Sequence, residues 1–243
     1  ASVTKGMIPL VTKIWPRIKQ AIPQAKLIVI GGYYRFRENA QPDAQEITWR
    51  ELVKQNPDIT FTGIIKQNEI ADILSKASYM LYPGAFPETF GISSLESLAY
   101  NTPIITTRFG ALEEVAFDKA CYLIDYPIEP NSLYPNINAN IQEQMFVSTA
   151  INAMRDKYLF QQKAYACNAI KDICGWDSVA LQWMQHFYKK LNLYFPKELF
   201  RKVSYINYKI REVFGRRFCN YEDNYLPTNS AQQHIVIITP VYN

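Results

Sequence analysis

The chain has 243 residues, 48% apolar and 20% charged, which suits one large domain or two small ones. No apolar run reaches about eighteen residues, and the N-terminus lacks the pattern of a signal peptide, so neither a membrane span nor a leader is predicted. The four cysteines include no CxxC pair and only two histidines are present, which argues against a structural zinc site. A cytoplasmic location is expected.

The first half of the chain alternates between helical and strand patterns. Apolar residues between Met7 and Ile18 recur at spacings of three and four, which predicts a helix, and residues 26–30 (KLIVI) predict a buried strand. The next predicted elements are a strand at 59–62, a helix at 68–76, a strand at 79–82, a helix at 91–100, and strands at 103–107 and 120–124. This alternation predicts an α/β domain with a doubly wound parallel sheet.

The pattern changes after residue 125. A loop rich in proline and asparagine at 126–140 precedes predicted helices at 142–157, 158–173 and 176–191, which would close a first domain of residues 1–191. Residues 192–233 are predicted to be a basic connector and linker. The apolar run at 235–238 predicts the first strand of a truncated domain at 234–243, so the natural protein is expected to continue.

Positive charge is concentrated in residues 189–217. The acidic residues of this stretch are only Glu198 and Glu212. Its lysines and arginines are Lys189, Lys190, Lys197, Arg201, Lys202, Lys209, Arg211, Arg216 and Arg217. Three interpretations are open: a solvated helix face, a helical connector between domains, or a surface that contacts anionic lipid. The connector is favoured. Nucleic acid is not an expected partner, because no nucleic-acid-binding motif accompanies the charge.

The strongest chemical signal is the string FPETFGISSLESLAYNTP at residues 86–103, which follows a predicted strand and opens a predicted helix. Glu88 lies in the loop and Glu96 in the helix, so both carboxylates are expected along one side of the helix N-terminus. Gly91 permits close approach of the backbone to a ligand, and the N–H groups of Gly91 and Ile92 predict a phosphate site. Two glutamates eight residues apart are by themselves commonly solvated, but the surrounding string favours a site.

With its E-x7-E motif of Glu88 and Glu96, this string resembles the C-terminal, donor-binding domain of glycosyltransferase family 4, whose enzymes have the two-domain GT-B architecture. Further matching segments extend the resemblance to about residues 5–190: Lys5-Gly6, Gly31-Gly32, Thr62-Gly63-Ile64, Gly110-Ala111 with Glu114-Val115, and Gly175-Trp176-Asp177. Ala111 departs from the family pattern, which usually has a glycine there. The arginine expected just before Lys5 is absent.

The resemblance implies a retaining glycosyltransferase that uses a nucleotide-sugar donor. Glu88 would orient the transferred sugar as the catalytic residue, and Glu96 would hold the ribose. The other implied donor-binding residues are Lys5, which would neutralise the diphosphate, and Gly32, Ile64, Thr89, Phe90, Gly91 and Ile92. No cofactor and no metal are expected beside the donor, because a lysine and a helix N-terminus can stabilise the leaving diphosphate.

The implied partners extend beyond this chain. A glycan or glycolipid acceptor would bind to a missing N-terminal domain, so the chain alone is expected to be inactive, and peripheral membrane contact is a further expectation. The last nine residues, IVIITPVYN at 235–243, resemble the first strand and turn of glycosyltransferase family 2. Together the two resemblances imply a bifunctional protein of polysaccharide biosynthesis.

Other functions and plainer interpretations fit parts of the pattern. A nucleotide-sugar epimerase or phosphorylase of the same architecture would share the pocket, and so would a non-catalytic nucleotide-binding or scaffolding module. A dinucleotide-dependent oxidoreductase is disfavoured, because no GxGxxG follows the first strand. Lys5 is equally well explained as a solvated charge, and a pair such as Gly31-Gly32 is more often simply a strand-ending turn. Tyr82 and Phe86 are expected to be structural.

Overall fold

In a computed structural model, the described residues are 6–31, 44–84, 88–125 and 139–214. Contacts divide the chain into two compact units, residues 1–167 and residues 168–243. The predicted domain limits of 1–191, 192–233 and 234–243 stay predictions, and the strand predicted at 235–238 lies outside the described residues. Among the helices that are described, none is both long and apolar enough to cross a bilayer.

The first unit contains five described strands and the helices between them. The strands are β1 Leu27–Ile30, β2 Ile59–Gly63, β3 Met80–Tyr82, β4 Ile104–Thr107 and β5 Cys121–Ile124. The helices are α1 Met7–Pro9, α2 Trp15–Ala21, α3 Ala44–Lys54, α4 Gln67–Lys76, α5 Ile92–Ala99, α6 Leu112–Val115, α7 Ala139–Arg155 and α8 Lys157–Ala166. The five strands predicted between residues 26 and 124 are each confirmed to within one residue at either end. Helices α3 and α6 were not predicted.

Hydrogen bonding arranges the described strands in two parallel sheets. β1 pairs with β2, and a separate sheet has the order β3-β4-β5. Ile104 and Ile105 of β4 are both fully buried, although successive strand side chains point to opposite faces, so both faces of this strand are covered. The parallel strands with covering helices confirm the predicted doubly wound α/β class.

The N-terminal helical segment packs directly on the core of this unit. Between α1 and α2 the chain forms a π-helical turn, Leu10–Ile14, in which the Trp15 N–H donates to the Leu10 carbonyl. Pro16 follows at once and has no N–H to offer the Thr12 carbonyl, and its ring would crowd that carbonyl in a regular helix. The wider turn accommodates the proline and still buries Ile14, Trp15 and Ile18 to 2% exposure or less.

The second unit is helical over its described residues. It comprises α9 Asn168–Cys174, α10 Trp176–Lys190 and α11 Lys197–Phe214. The prediction of one helix over 158–173 was wrong, because the chain leaves α8 at Cys167 and begins α9 at Asn168. Asparagine competes for backbone hydrogen bonds and favours helix ends over helix interiors, which explains a break at this position.

Candidate functional site

The carboxyl ends of the parallel strands bring the motif residues together. The loop after β3 and the loop after β4 meet in an isolated parallel bridge between Glu88 and Gly110. The N–H of Ala111 donates to the Glu88 carbonyl at 2.8 Å. Ala111 has φ −65° and ψ −11°, an ordinary right-handed conformation, so the alanine fits where the family pattern has glycine. Ligands of open α/β sheets bind at this edge.

The side chain of Glu88 is buried and held from two sides. It is 9% exposed, and the Tyr82 hydroxyl donates to its Oε2 at 2.5 Å. Its other oxygen, Oε1, accepts the N–H of Thr89 at 3.2 Å. Burial and the hydrogen bond to Glu88 raise the pKa of Tyr82, so the phenol remains a proton donor at neutral pH. Tyr82 was expected to be structural, and its contact with the motif carboxylate was missed.

Gly91 begins α5 in a left-handed conformation. Its φ is +86°, and a Cβ there would lie 3.3 Å from Leu112 Cδ2 and 3.5 Å from Glu88 Cγ. Over the described residues, no side chain caps this helix, and the buried Ser94 hydroxyl has no hydrogen-bond partner. Ile92, at the first helical position, is exposed. Within the described ranges, the N-terminus of α5 therefore presents backbone dipoles without a side-chain carboxylate or hydroxyl that caps them.

Glu96 lies in the next turn of α5 and has a different environment. Its side chain is half-buried, and the Gln67 amide donates to Oε1 at 2.7 Å. Gln67 is the first residue of α4, which follows β2 and the left-handed Gly63. Ile64, between them, is 56% exposed. The Gln67 contact brings the turn after β2 to the motif helix, and sequence reasoning missed it because the two residues are far apart in the chain.

Close backbone packing surrounds Pro83 and Gly84, which follow β3. Gly6 has φ +91°, and a Cβ on it would lie 2.2 Å from the Pro83 carbonyl oxygen. A Cβ on Gly84 would lie 2.8 Å from Leu112 Cδ1, and Thr107 Oγ1 donates to the Gly84 carbonyl at 2.9 Å. The N-terminal segment is thus pressed against the start of the motif loop.

The structure brings Glu88, Thr89, Phe90, Gly91, Ile92 and Glu96 together on one loop and helix. Thr89 is exposed and Phe90 is partly buried. Lys5 and Gly32 lie outside the described residues. The ligand-binding role of each of these residues, and the expectation that no metal takes part, stay predictions.

Comparison with known proteins extends these observations. A family model described as "Glycosyl transferases group 1" matches residues 1–141, more than half of the chain. Over 58 residues, 45% are identical to a GDP-mannose-dependent alpha-(1-6)-phosphatidylinositol dimannoside mannosyltransferase of Mycobacterium tuberculosis, covering 24% of this chain and 15% of the relative. Over 65 residues, 35% are identical to an O-antigen chain mannosyltransferase of Salmonella typhimurium, covering 27% and 18%. The matches span 15% and 18% of the lengths of these two curated relatives.

Solved structures share the fold at low sequence identity. Sucrose-phosphate synthase from Thermosynechococcus elongatus is similar with a TM-score of 0.51 and 24% identity, over 77% of this chain and 42% of that one. The pneumococcal O-GlcNAc transferase GtfA, solved with UDP and GlcNAc, is similar with a TM-score of 0.50 and 15% identity, over 69% and 29%. The likeness supports the Rossmann-like fold of GT-B glycosyltransferases.

Proposed function

The chain belongs to the glycosyl transferases group 1 family, and we propose that it is the donor-binding half of a retaining glycosyltransferase that uses a nucleotide-sugar. The observation that carries the proposal is the buried carboxylate of Glu88, hydrogen-bonded beside the uncapped N-terminus of α5. A carboxylate positioned by the protein next to a set of backbone donors can contact a sugar hydroxyl while its neighbours bind phosphate.

In this proposal the N-terminus of α5 binds the donor diphosphate. The N–H groups of Gly91 and Ile92 and the helix dipole stabilise the negative charge that develops when the nucleotide leaves. Lys5 adds a positive charge. These groups can stabilise the negative charge of the leaving diphosphate, so the proposal has no step that requires a metal ion.

The two glutamates bind the two ends of the donor. Glu88 accepts hydrogen bonds from hydroxyls of the transferred sugar and fixes the ring, while Tyr82 and the Thr89 N–H hold the carboxylate. Glu96 accepts hydrogen bonds from the two ribose hydroxyls, and Ile64 contacts the base. In a retaining transfer the C1–O bond to the diphosphate breaks and the acceptor oxygen bonds to C1 from the same face. The acceptor proton passes to the departing phosphate oxygen.

We propose GDP-mannose as the first donor to test, since both relatives named above are mannosyltransferases and one is named as GDP-mannose-dependent. A glycan or lipid-linked acceptor would bind to a domain outside this chain, within a larger, bifunctional protein of polysaccharide biosynthesis. The family 2 resemblance at 235–243 belongs to the same proposal.

The test is thermal unfolding of the 243-residue chain with GDP, UDP, ADP and their common sugar conjugates. A ligand at one hundred times its Kd stabilises a protein by roughly 2.7 kcal/mol, which moves the unfolding midpoint by several degrees. We expect one nucleotide to do so and expect Glu96→Gln to abolish the shift. Glu51→Gln, which changes an exposed residue of α3, is the matched control and should keep the shift in the unfolding midpoint.

A set of nucleotides that leaves the midpoint unchanged would contradict a preformed donor site in this chain. If stabilisation persists in Glu96→Gln but is lost in Gly91→Ala, the result would support the phosphate site at α5 and contradict ribose binding by Glu96. Transfer assays on the longer parent protein then test Glu88→Gln, which we expect to reduce kcat more than donor affinity.

A further inference from the structure

The second unit carries an amphipathic helix with an unusual outward face. Helix α11 spans Lys197–Phe214. Its inward stripe is aliphatic and follows helical spacing, with the members Leu199, Val203, Ile206 and Ile210. Val203 and Ile206 are 0% and 4% exposed. This stripe supplies the packing that holds α11 in its unit. From the opposite side, the Tyr205 hydroxyl donates a long hydrogen bond of 3.4 Å to the Asp172 carboxylate of α9.

The opposite side of α11 is aromatic and basic. It carries, at spacings of three and four, the residues Lys197, Phe200, Arg201, Tyr205 and Tyr208, which we call the basic aromatic face. All five are exposed, and each of the three aromatic side chains is more than half exposed. Lys209 lies beside this face, with its Nζ 5.9 Å from the ring centroids of both tyrosines. A face that only meets water does not require three large rings.

The exposed apolar surface continues into the turn before α11. Leu191, Leu193 and Tyr194 are each more than half exposed, and the basic residues Lys189 and Lys190 precede them. Between positions 189 and 209 the sequence has six lysines and arginines and one acidic residue, Glu198. Rings and apolar side chains are therefore interleaved with positive charge along one continuous stretch.

We propose that the basic aromatic face, with the turn at 191–194, binds the surface of an anionic lipid bilayer. Aromatic side chains prefer the boundary between headgroups and acyl chains, and each basic residue gains from the negative surface potential. Lysine is depleted from the cores of protein interfaces, so docking of another protein domain explains the lysines less well than anionic lipid does. The inference does not depend on the donor site.

The experiment is sedimentation of the 243-residue chain with vesicles of phosphatidylcholine, alone and mixed with phosphatidylglycerol. We expect binding to the anionic vesicles only, and a loss of binding as salt is raised. Failure to bind anionic vesicles, or equal binding to neutral ones, overturns the proposal.

Charge variants locate the surface. Lys197→Gln, Arg201→Gln and Lys209→Gln together should weaken binding by on the order of 100-fold, since each basic residue near the bilayer contributes roughly fivefold. The matched control removes the same charge from the first unit, through Lys26→Gln, Lys54→Gln and Lys157→Gln. An equal loss in both triple variants would show an effect of net charge alone and would overturn the assignment to α11.

Ring variants test the apolar part. Phe200→Ser with Tyr208→Ser should weaken binding by about tenfold, because two rings lose contact with the bilayer boundary. Tyr158→Ser with Tyr165→Ser, two exposed tyrosines on α8, is the control and should bind as the unchanged chain does. An unaltered affinity in the α11 pair would overturn the proposed insertion of the rings. Unchanged unfolding midpoints verify that the variants remain folded.

Discussion

The carboxylates of Glu88 and Glu96 belong to the same loop and helix, yet their surroundings differ in kind. Around Glu88 the chain is tight: the side chain is buried, and Gly6 approaches the Pro83 carbonyl where a Cβ has no room. Around Glu96 the surroundings are open: its side chain is half-buried, and no atom of the described residues lies within 4 Å of a Cβ position on Gly63, in the turn before Gln67. A rigid group can fix a reacting sugar, whereas an open one can adjust to a bound nucleoside.

The largest expected effect comes from Gly6→Ala. A methyl group at φ +91° and 2.2 Å from the Pro83 oxygen forces the backbone to move, so we expect a loss of on the order of 3 kcal/mol in the free energy of unfolding. Gly63→Ala also places alanine in a left-handed conformation but meets no atom of the part of the chain that the structure describes, and should cost about 1–2 kcal/mol. Urea unfolding measures both. Equal losses would remove the distinction between the tight and open sides.

Tyr82→Phe removes the hydroxyl that donates to Glu88 Oε2. A buried carboxylate then loses a partner, so we expect a decrease of about 1–3 kcal/mol in the free energy of unfolding. Tyr158→Phe, on an exposed ring, is the control and should change it by less than about 0.5 kcal/mol. If Tyr82→Phe were as mild as the control, the hydrogen bond would not hold Glu88 in solution.

Gln67→Ala tests the open side. The hydrogen bond to Glu96 is lost, but water can replace it at a half-buried carboxylate, so the expected cost is about 0.5–1.5 kcal/mol. Asn68→Ala changes the neighbouring exposed residue of α4 and serves as the control. A loss larger than that of Tyr82→Phe would reverse the comparison between the two carboxylates.

The smallest expected effect is that of Ala111→Gly, which restores the residue of the family pattern. Because Ala111 has ordinary right-handed angles, glycine should gain nothing and cost about 0.4–1 kcal/mol through the freedom of the unfolded chain. Chemical denaturation of the single variant decides the sign. A more stable variant would indicate that the loop is strained by the alanine.

Sequence patterns predicted the strands well because each is a short apolar run between turn residues, as in the run before Gly31. They missed α3, and they missed α6, whose four residues span barely one turn and give no periodicity. They also joined α8 to α9, since Cys167 interrupts the helix without a proline or glycine. Local patterns identify elements when the signal itself is local.

The same limit applies to the candidate site. Glu88, Gly91 and Glu96 were identified because they share one ordered string. Tyr82 and Gln67 were not, because nothing in their own segments indicates that their polar atoms meet those carboxylates. Partnerships across the sheet edge depend on how β2, β3 and β4 align, which a single sequence does not encode in any short pattern.

The division of the strands into two sheets has a mechanical consequence. Over the described residues, β1 and β2 are joined by hydrogen bonds, as are β3, β4 and β5, but the two groups are held to each other by side-chain packing. Packing is nondirectional and resists sliding less than a hydrogen-bonded ladder does. A nucleotide that contacts both the turn after β2 and the loop after β3 would restrict the motion of one sheet against the other. Amide hydrogen exchange should therefore slow in both sheets together when the nucleotide binds.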